Sequence, residues 1–420
     1  MHFGNNPELY NVIVTERHYI KGDSELMARS ALAKDLYNRC NYILRQCFFS
    51  NERLPNISML IDELRILDCF HDVGNTKISK HIIRKCLIDW TNYFKGLREY
   101  KRSPSKFSGK PKPPKYKKKY GQLIFDKESI KLGRSKKDKT LEYIEASNEC
   151  FKVKSNRKYK QIIITPKNFG FMIDIFYESE EPKPKTVNKN KQKYCVIDPG
   201  VNNLLTITSD QHIPILINGC IVKSFNQEYN KKKTKKSEKK RYFRIENYFH
   251  HTSKFIIDNC IKYGITTIII GRNNGWKKNI KMRRNQKENF KYIPFEELFN
   301  KIKYKAALAG IEVVFIEESY TSKASFLDKD FIPTYDKNNN ETYEFSGKRI
   351  KRGLYKSKDG TIINADCNGS GNIGRKSNII PNINSSEWDR SVAATPVKVN
   401  SLRAFGSIGR SKPRTRSIKV

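Results

Sequence analysis

One short stretch constrains this chain more than any other: Tyr194-Cys195-Val196-Ile197-Asp198-Pro199-Gly200-Val201-Asn202-Asn203-Leu204-Leu205. An apolar run ends in a single aspartate, a Pro-Gly turn follows, and a second apolar run to Ile207 returns. That order predicts a strand, a tight turn and an antiparallel partner strand. An aspartate at a strand end beside a glycine turn is well placed to hold a divalent cation, because backbone and phosphate can both approach closely. The same residues also describe an ordinary hairpin whose aspartate opens the turn, and the rest of the chain has to decide between the two.

Charge narrows the choice of partner. Lys and Arg number 82 against 43 Asp and Glu, a formal net charge of +39 on 420 residues. Such a charge repels itself in the folded state and calls for a polyanion, with nucleic acid the expected partner. A membrane is not expected, since there is no apolar run of about 18 residues and no basic amphipathic helix near a terminus. The N-terminus does not read as a signal peptide. The 9 cysteines are scattered, odd in number and never spaced CxxC. This argues for a reducing compartment and against a disulfide framework or a zinc ribbon. The expected location is cytoplasmic, nucleoid-associated in a prokaryote. With 22 Tyr and 23 Phe, base stacking is chemically available.

Periodicity divides the chain. Residues 10–20 alternate as a strand. From Ser24 the spacing of Leu32, Leu36, Ile43 and Leu44 becomes helical, with Asp23 or Ser24 as cap. A second helix over 77–98 carries the apolar stripe Ile78, Ile82, Cys86, Trp90, Tyr93, Phe94 and Leu97, opposite Lys80, Arg84 and Lys85. Residues 101–120 are rich in Pro and Lys. Their prolines forbid a continuous helix, so Lys115, Lys117, Lys118 and Lys119, interleaved with Phe107, Tyr116 and Tyr120, read as an extended strip along a phosphate backbone. Six short strands follow between 122 and 179 and suit a small antiparallel barrel completed by residues 10–20. Further on, strands at 194–198, 203–208 and about 213–222 precede a helix at 235–263. A buried strand at Thr266–Ile270, a helix at 295–308 and a buried strand at Ile311–Ile316 complete the pattern. Three antiparallel strands, then a helix and parallel strands, is the order of the ribonuclease H fold.

Acids fall at telling places in that order. Asp198 ends the first strand, Glu317 and Glu318 end VVFIEE, and Asp366 opens a short helix in IINADCNGSGNI. Carboxylates gathered by one sheet and one helix can hold two Mg²⁺ about 4 Å apart, one activating water and the other stabilising the leaving oxygen of a phosphodiester. Asn368 and Asn372, one helical turn apart, either orient a ligand or cap the helix. His250, His251 and Trp276 read as structural.

IDPGVNNLLTIT, ESYTSK and NADCNGSGNIGRK resemble the TnpB family of transposon-encoded proteins, compact relatives of type V CRISPR effectors. The resemblance implies an α+β multidomain protein with a RuvC-like (ribonuclease H-like) α/β nuclease domain, preceded by a small wedge β-barrel with an inserted helical recognition domain. The implied division is 1–22 and 101–180 for the barrel and 23–100 for the helical domain, with 181–193 as linker. Residues 194–322 and 361–376 then make the nuclease, 323–360 an insert, and 377–420 a basic disordered tail. It further implies a guide RNA derived from the transposon end and a double-stranded DNA target. Base pairing would read the sequence and protein charge would hold the heteroduplex. Asp198 and Asp366 become the first and last catalytic acids and ligands of two Mg²⁺ ions. For target DNA beside the guide-matched stretch, Tyr42, Lys77, Lys80 and Arg84 on the front helices are candidates.

Two departures from the family pattern stand out. The usual glutamate position ends the strand TTIIIG, where this chain has Gly271. Glu318, three residues before Thr321-Ser322, resembles the alternative glutamate of variant TnpB proteins and of the eukaryotic Fanzor relatives. Glu317 is the second choice, since adjacent strand residues point to opposite faces. Neighbouring strands lie about 4.8 Å apart, a distance a Glu side chain spans. Secondly, residues 323–365 contain no Cys or His. No zinc is expected there, and Lys348, Arg349, Lys351, Arg352 and Lys356 make the insert a metal-free lid over substrate phosphates. The expected activity is RNA-guided, Mg²⁺-dependent DNA cleavage by a protein encoded on a mobile element. The alternatives are a guided DNA-binding protein that does not cut, and a DNA-joining transposase.

Overall fold

Strands form where the sequence alternates and helices where apolar residues recur every three to four positions. The computed structural model describes residues 9–22, 24–104, 107, 109–134, 142–146, 152–154, 159–182, 193–272, 293–334, 341–379 and 395–399. The chain divides into two units, Met1–Pro182 and Lys183–Val420.

The first unit runs β1 (Leu9–Ile20), α1 (Ser24–Phe49), α2 (Ile57–Leu64), α3 (Asp68–His71), α4 (Thr76–Arg102), β2 (Leu123–Asp126), β3 (Ile130–Arg134), β4 (Glu142–Ala146), β5 (Lys152–Lys154), β6 (Tyr159–Lys167) and β7 (Gly170–Pro182). The single barrel expected from the sequence is instead two sheets, ordered β1-β7-β6-β2 and β3-β4-β5. β1 pairs antiparallel with β7 from Leu9↔Pro182 to Ile20↔Phe171. Sequential hairpin pairing keeps β3, β4 and β5 to themselves. The helices do not form a separate body over 23–100 either. Leu36, Leu44, Ile82 and Trp90 share one core with Phe125, Ile162 and Ile173. Residues 57–71 had no assignment from the sequence; Asn56 starts α2 by accepting from the Met59 amide.

Prolines 111, 113 and 114 keep the Lys-rich segment out of a helix, as predicted, and α1 holds it extended. The Asn38 side chain donates to the Lys117 carbonyl at 3.0 Å and accepts from the Lys117 amide at 2.7 Å. Asn41 and Arg45 both donate to the Pro114 carbonyl. The strip is therefore a fixed strap rather than a solvated linker.

The second unit contains β8 (Tyr194–Pro199), β9 (Asn203–Ser209), β10 (Ile215–Asn218), α5 (Cys220–Lys232), α6 (Lys235–Tyr263), β11 (Thr267–Gly271), α7 (Phe295–Leu308), β12 (Glu312–Ile316), β13 (Lys348–Lys351), β14 (Leu354–Lys356), β15 (Ile362–Asn364), α8 (Ala365–Lys376) and β16 (Val397–Val399). Its main sheet is ordered β12-β11-β8-β9-β10-β16, with β8, β9 and β10 antiparallel and β11 parallel to β8 and to β12. β8 and β11 are apolar on both faces because both faces are covered. The predicted strand at 213–222 stops at Asn218, and Cys220 onwards is helical. The tail expected to be disordered over 377–420 contributes a strand, since β16 pairs parallel with β10 through Ile215↔Val397. The insert is a small sheet, β13-β14-β15, that extends to Asn364.

Helices α6 and α7 are joined by charge. Lys301 donates to Glu246 at 2.6 Å and lies 3.1 Å from His250 Nε2. Burial works against ionisation of Glu246, but hydrogen bonds from His250 and Lys301 outweigh it and hold the carboxyl down at about 2. A depressed carboxyl stabilises the fold above its unfolded pKa, and this contribution disappears as pH falls towards 2. Glu246→Gln should therefore cost about 1–2 kcal/mol at pH 7 and progressively less below pH 4.5. Urea unfolding at pH 7 and pH 3 checks this; an equal cost at both would refute the assignment.

Candidate metal centre and nucleic-acid surfaces

Asp198 sits at the end of β8, paired in register with Thr206 of β9. Helix α8 lies across this end of the sheet. Its N-cap Asn364 accepts from the amides of Asp366 and Cys367, which places Asp366 in the first turn. Ser370 fixes the helix by bonding Thr208 Oγ1 at 2.6 Å and donating to the Val196 carbonyl at 3.2 Å. Gly369 faces Asp198: a Cβ there would lie 2.8 Å from Asp198 Oδ2.

Glu318 stands two residues beyond β12. That strand pairs with β11, the one-spacing neighbour expected from the sequence, while β11 separates it from β8, so Glu318 and Asp198 share no strand edge. The carboxyl passes instead over the end of β11. A Cβ on Gly271 would lie 2.7 Å from Glu318 Oε2, and that oxygen is shut off from solvent.

The electrostatics record the approach. Burial, then the charges of Glu318 and Asp366, push the Asp198 carboxyl well above the usual range, against a smaller opposing effect of Arg349. Asp198 as a residue is only half-buried, but its carboxyl lies among these groups. Burial and the neighbouring Glu317 raise Glu318 to about 7, with Lys376 opposing. Such shifts arise where like charges are crowded in a low-dielectric cleft.

Glu317 has a different task. Its Oε1 accepts from the Ser319 amide at 2.8 Å and its Oε2 from Lys376, which also donates to the carbonyls of Ser319 and Pro333. The two adjacent glutamates are thus separated, one tied to α8 by a lysine and one facing Asp198.

Asp366 is held on both oxygens. Asn203 donates to Oδ2 at 2.7 Å, and Arg349 of β13 approaches Oδ1 at 3.4 Å. Sequence reading missed the contribution of Asn203; its signal was the second asparagine of the opening turn. Asn368 and Asn372, read as ligand-orienting or capping, do neither. Asn368 bonds the Phe326 amide and the Ala324 carbonyl, and Asn372 donates to the carbonyls of Thr321 and Ala324. They clamp the loop that follows Glu318. The Asp330 carboxylate accepts from Ser325 and Ser346, and the Tyr355 hydroxyl donates to the Lys323 carbonyl, so the insert is stapled to the same loop.

The donor chemistry, hard carboxylate oxygens under mutual repulsion, fits a divalent cation. Among the described residues, no three His, Cys, Asp or Glu side chains already stand close enough to hold one ion.

Of the basic candidates, Lys80, Arg84, Lys115, Lys118 and Lys119 are exposed. Lys77 is paired with Glu128. Lys117 is exposed with its ammonium 4.5 Å from the Tyr37 ring centroid. In the second unit, Arg349 and Arg352 are exposed, and β13 is exposed along its whole length. His250 serves the α6–α7 contact. Trp276 lies outside the described residues.

Parts of the chain are similar to known proteins. Residues 295–373, from the start of α7 through Ile373 of α8, match the family model "Cas12f1-like, TNB domain". A TnpB-like protein of Methanocaldococcus jannaschii is 23% identical over 178 residues, a match taking in 38% of this chain and 58% of that relative. Both matches are to proteins of the TnpB/Cas12f type. Two solved structures are similar over 83% of this chain and 81% of theirs. One is a Cas12f1-sgRNA-target DNA complex at 15% identity and a TM-score of 0.43; the other is a CRISPR-Cas12f ternary complex at 16% and 0.30. The matched stretch takes in Glu318, the insert and Asp366, while Asp198 lies before it.

A carboxyl with a raised folded pKa contributes stability that is complete below its unfolded pKa and lost as pH rises through the folded value. Without divalent ions, the protein should therefore lose stability between pH 4.5 and about 7 through Glu318. Glu318→Gln should remove that decline and Glu317→Gln should only reduce it, because burial of Glu318 remains, as read by thermal unfolding in chelator.

Proposed function

We propose that this chain is an RNA-guided DNA endonuclease encoded by a mobile element, cutting at a site made by Asp198, Glu318 and Asp366. The observation that carries the reading is the convergence of Asp198 and Glu318 from two strands separated by a third, with burial and the charges of Glu318 and Asp366 pushing the Asp198 carboxyl up. A protein that only bound DNA would have no need of that costly arrangement.

Asp198, Glu318 and Asp366 would hold Mg²⁺. When bound, the two ions supply polarisation of the phosphodiester and activation of water. The chain's own groups do the rest. Asn203 keeps Asp366 oriented, and Lys376 holds Glu317 out of the site so that Glu318 alone faces it. Arg349 neutralises Asp366 at rest and, from an exposed strand, is within reach of a substrate phosphate. The strap lysines 115, 118 and 119 and the helix residues Lys80 and Arg84 supply phosphate contacts for guide RNA from the transposon end and for double-stranded target DNA.

Sequencing the RNA that copurifies with the protein identifies the guide, and a plasmid carrying its match is the substrate. Asp198→Ala should abolish cutting, by at least about a thousandfold, and leave RNA retention within about twofold. Glu318→Gln should do the same, while Glu317→Gln retains cutting. An intact plasmid with bound wild-type protein would favour the non-cutting alternative.

A further inference from the structure

Two glycines touch the proposed centre, and each is placed against a carboxylate oxygen. Gly271 ends β11, between the strand that carries Asp198 and the strand that leads to Glu318. Neighbouring strands are about 4.8 Å apart, so β12 and β8 are separated by roughly twice that. A glutamate side chain cannot cross two strand spacings above a strand whose last residue projects into its path. A Cβ on Gly271 would lie 2.7 Å from Glu318 Oε2 and 2.6 Å from Ile373 Cδ1, both inside any tolerated contact. Gly271 pairs in register with Ile316, and the Arg272 amide donates to the Ile316 carbonyl at 2.7 Å. The backbone at this point is therefore pinned and cannot retreat. From the other side, a Cβ on Gly369 would lie 2.8 Å from Asp198 Oδ2, and Ser370 pins that turn of α8 to the Val196 carbonyl.

We infer that Gly271 is a positioning residue of the metal centre: its missing side chain is the passage through which Glu318 reaches Asp198, and Gly369 forms the matching hollow for the Asp198 carboxylate. The glycine at the end of β11 is then a requirement of the glutamate standing on β12, and the two positions can change only together. This inference rests on the proposed site and adds what permits it.

The test separates the carboxylate contact from the hydrocarbon one. Ile373→Val removes the Cδ1 atom that a new Cβ would strike, so it serves as the background, and Mn²⁺ is the probe, its binding followed by electron paramagnetic resonance on the full chain. I373V should bind Mn²⁺ as the wild type does and melt as one cooperative unit. G271A/I373V should bind at least about tenfold more weakly, as losses of supporting groups around metal ligands do. Shortening the glutamate by one methylene should relieve the clash, so G271A should weaken E318D/I373V by less than about threefold. Equal Mn²⁺ affinity in I373V and G271A/I373V would overturn the inference, as would an equal loss with glutamate and aspartate at 318. E318Q reports on the site itself: unchanged Mn²⁺ binding there would remove the proposed centre, whatever Gly271 does.

Discussion

Keeping like charges together under burial costs free energy in proportion to how far their pKa values rise, about 1.4 kcal/mol for each unit. The second unit is organised around that cost. Asp198 is driven up by burial and by Glu318 and Asp366, and Glu318 is driven up by burial and by Glu317. The cost is sustained because the groups cannot separate. β8, β11 and β12 are locked in parallel register, α8 is bonded to β8 and β9 by Ser370, and the loop after Glu318 is clamped by Asn368 and Asn372. Repulsion that has nowhere to relax is the usual mark of a site awaiting a cation.

Much of this was legible in the sequence because it depends on short, local patterns. Apolar runs bounded by turn residues located β8, β9, β11 and β12, and the helices at 235–263 and 295–308 were placed to the residue. The three acids were singled out by their position at strand and helix ends, and Asp198 and Asp366 do lie at a strand end and in the first turn of a helix. What was not legible depends on lateral order. The neighbouring place of VVFIEE beside TTIIIG was read correctly, but nothing in either run says that the Glu318 carboxyl passes over Gly271, so the absence of a side chain there looked like a loss. The barrel failed for a related reason: six short strands fit several pairings, and the full-length pairing of β1 with β7 chose two sheets instead. The asparagines of α8 misled because polar residues near an acid suggest ligands, whereas here they satisfy buried backbone groups of the facing loop.

The insert illustrates how a loop-rich segment is made rigid. Asp330 gathers Ser325 and Ser346, Asp328 bonds Ser325 and the Lys358 amide, and Tyr355 reaches the Lys323 carbonyl. Each bond is worth about 1 kcal/mol net. Several acting on one short loop fix the base of the small sheet whose exposed edge strand carries Arg349. The exposed charge of Arg349 is thus mounted on a stiff support.

The parallel strand Val397–Val399 has a consequence for how the unit comes into being. It closes the edge of β10, just as α8 reaches back to β8 through a bond between Ser370 and Val196 spanning 174 positions. A growing chain leaving the ribosome therefore carries β8 to β10 with an open edge until residues 397–399 emerge, and no product that stops before α8 can bring Asp366 to Asp198 and Glu318. The crowded carboxylates are thus brought together late, once α8 has followed β8 and β12.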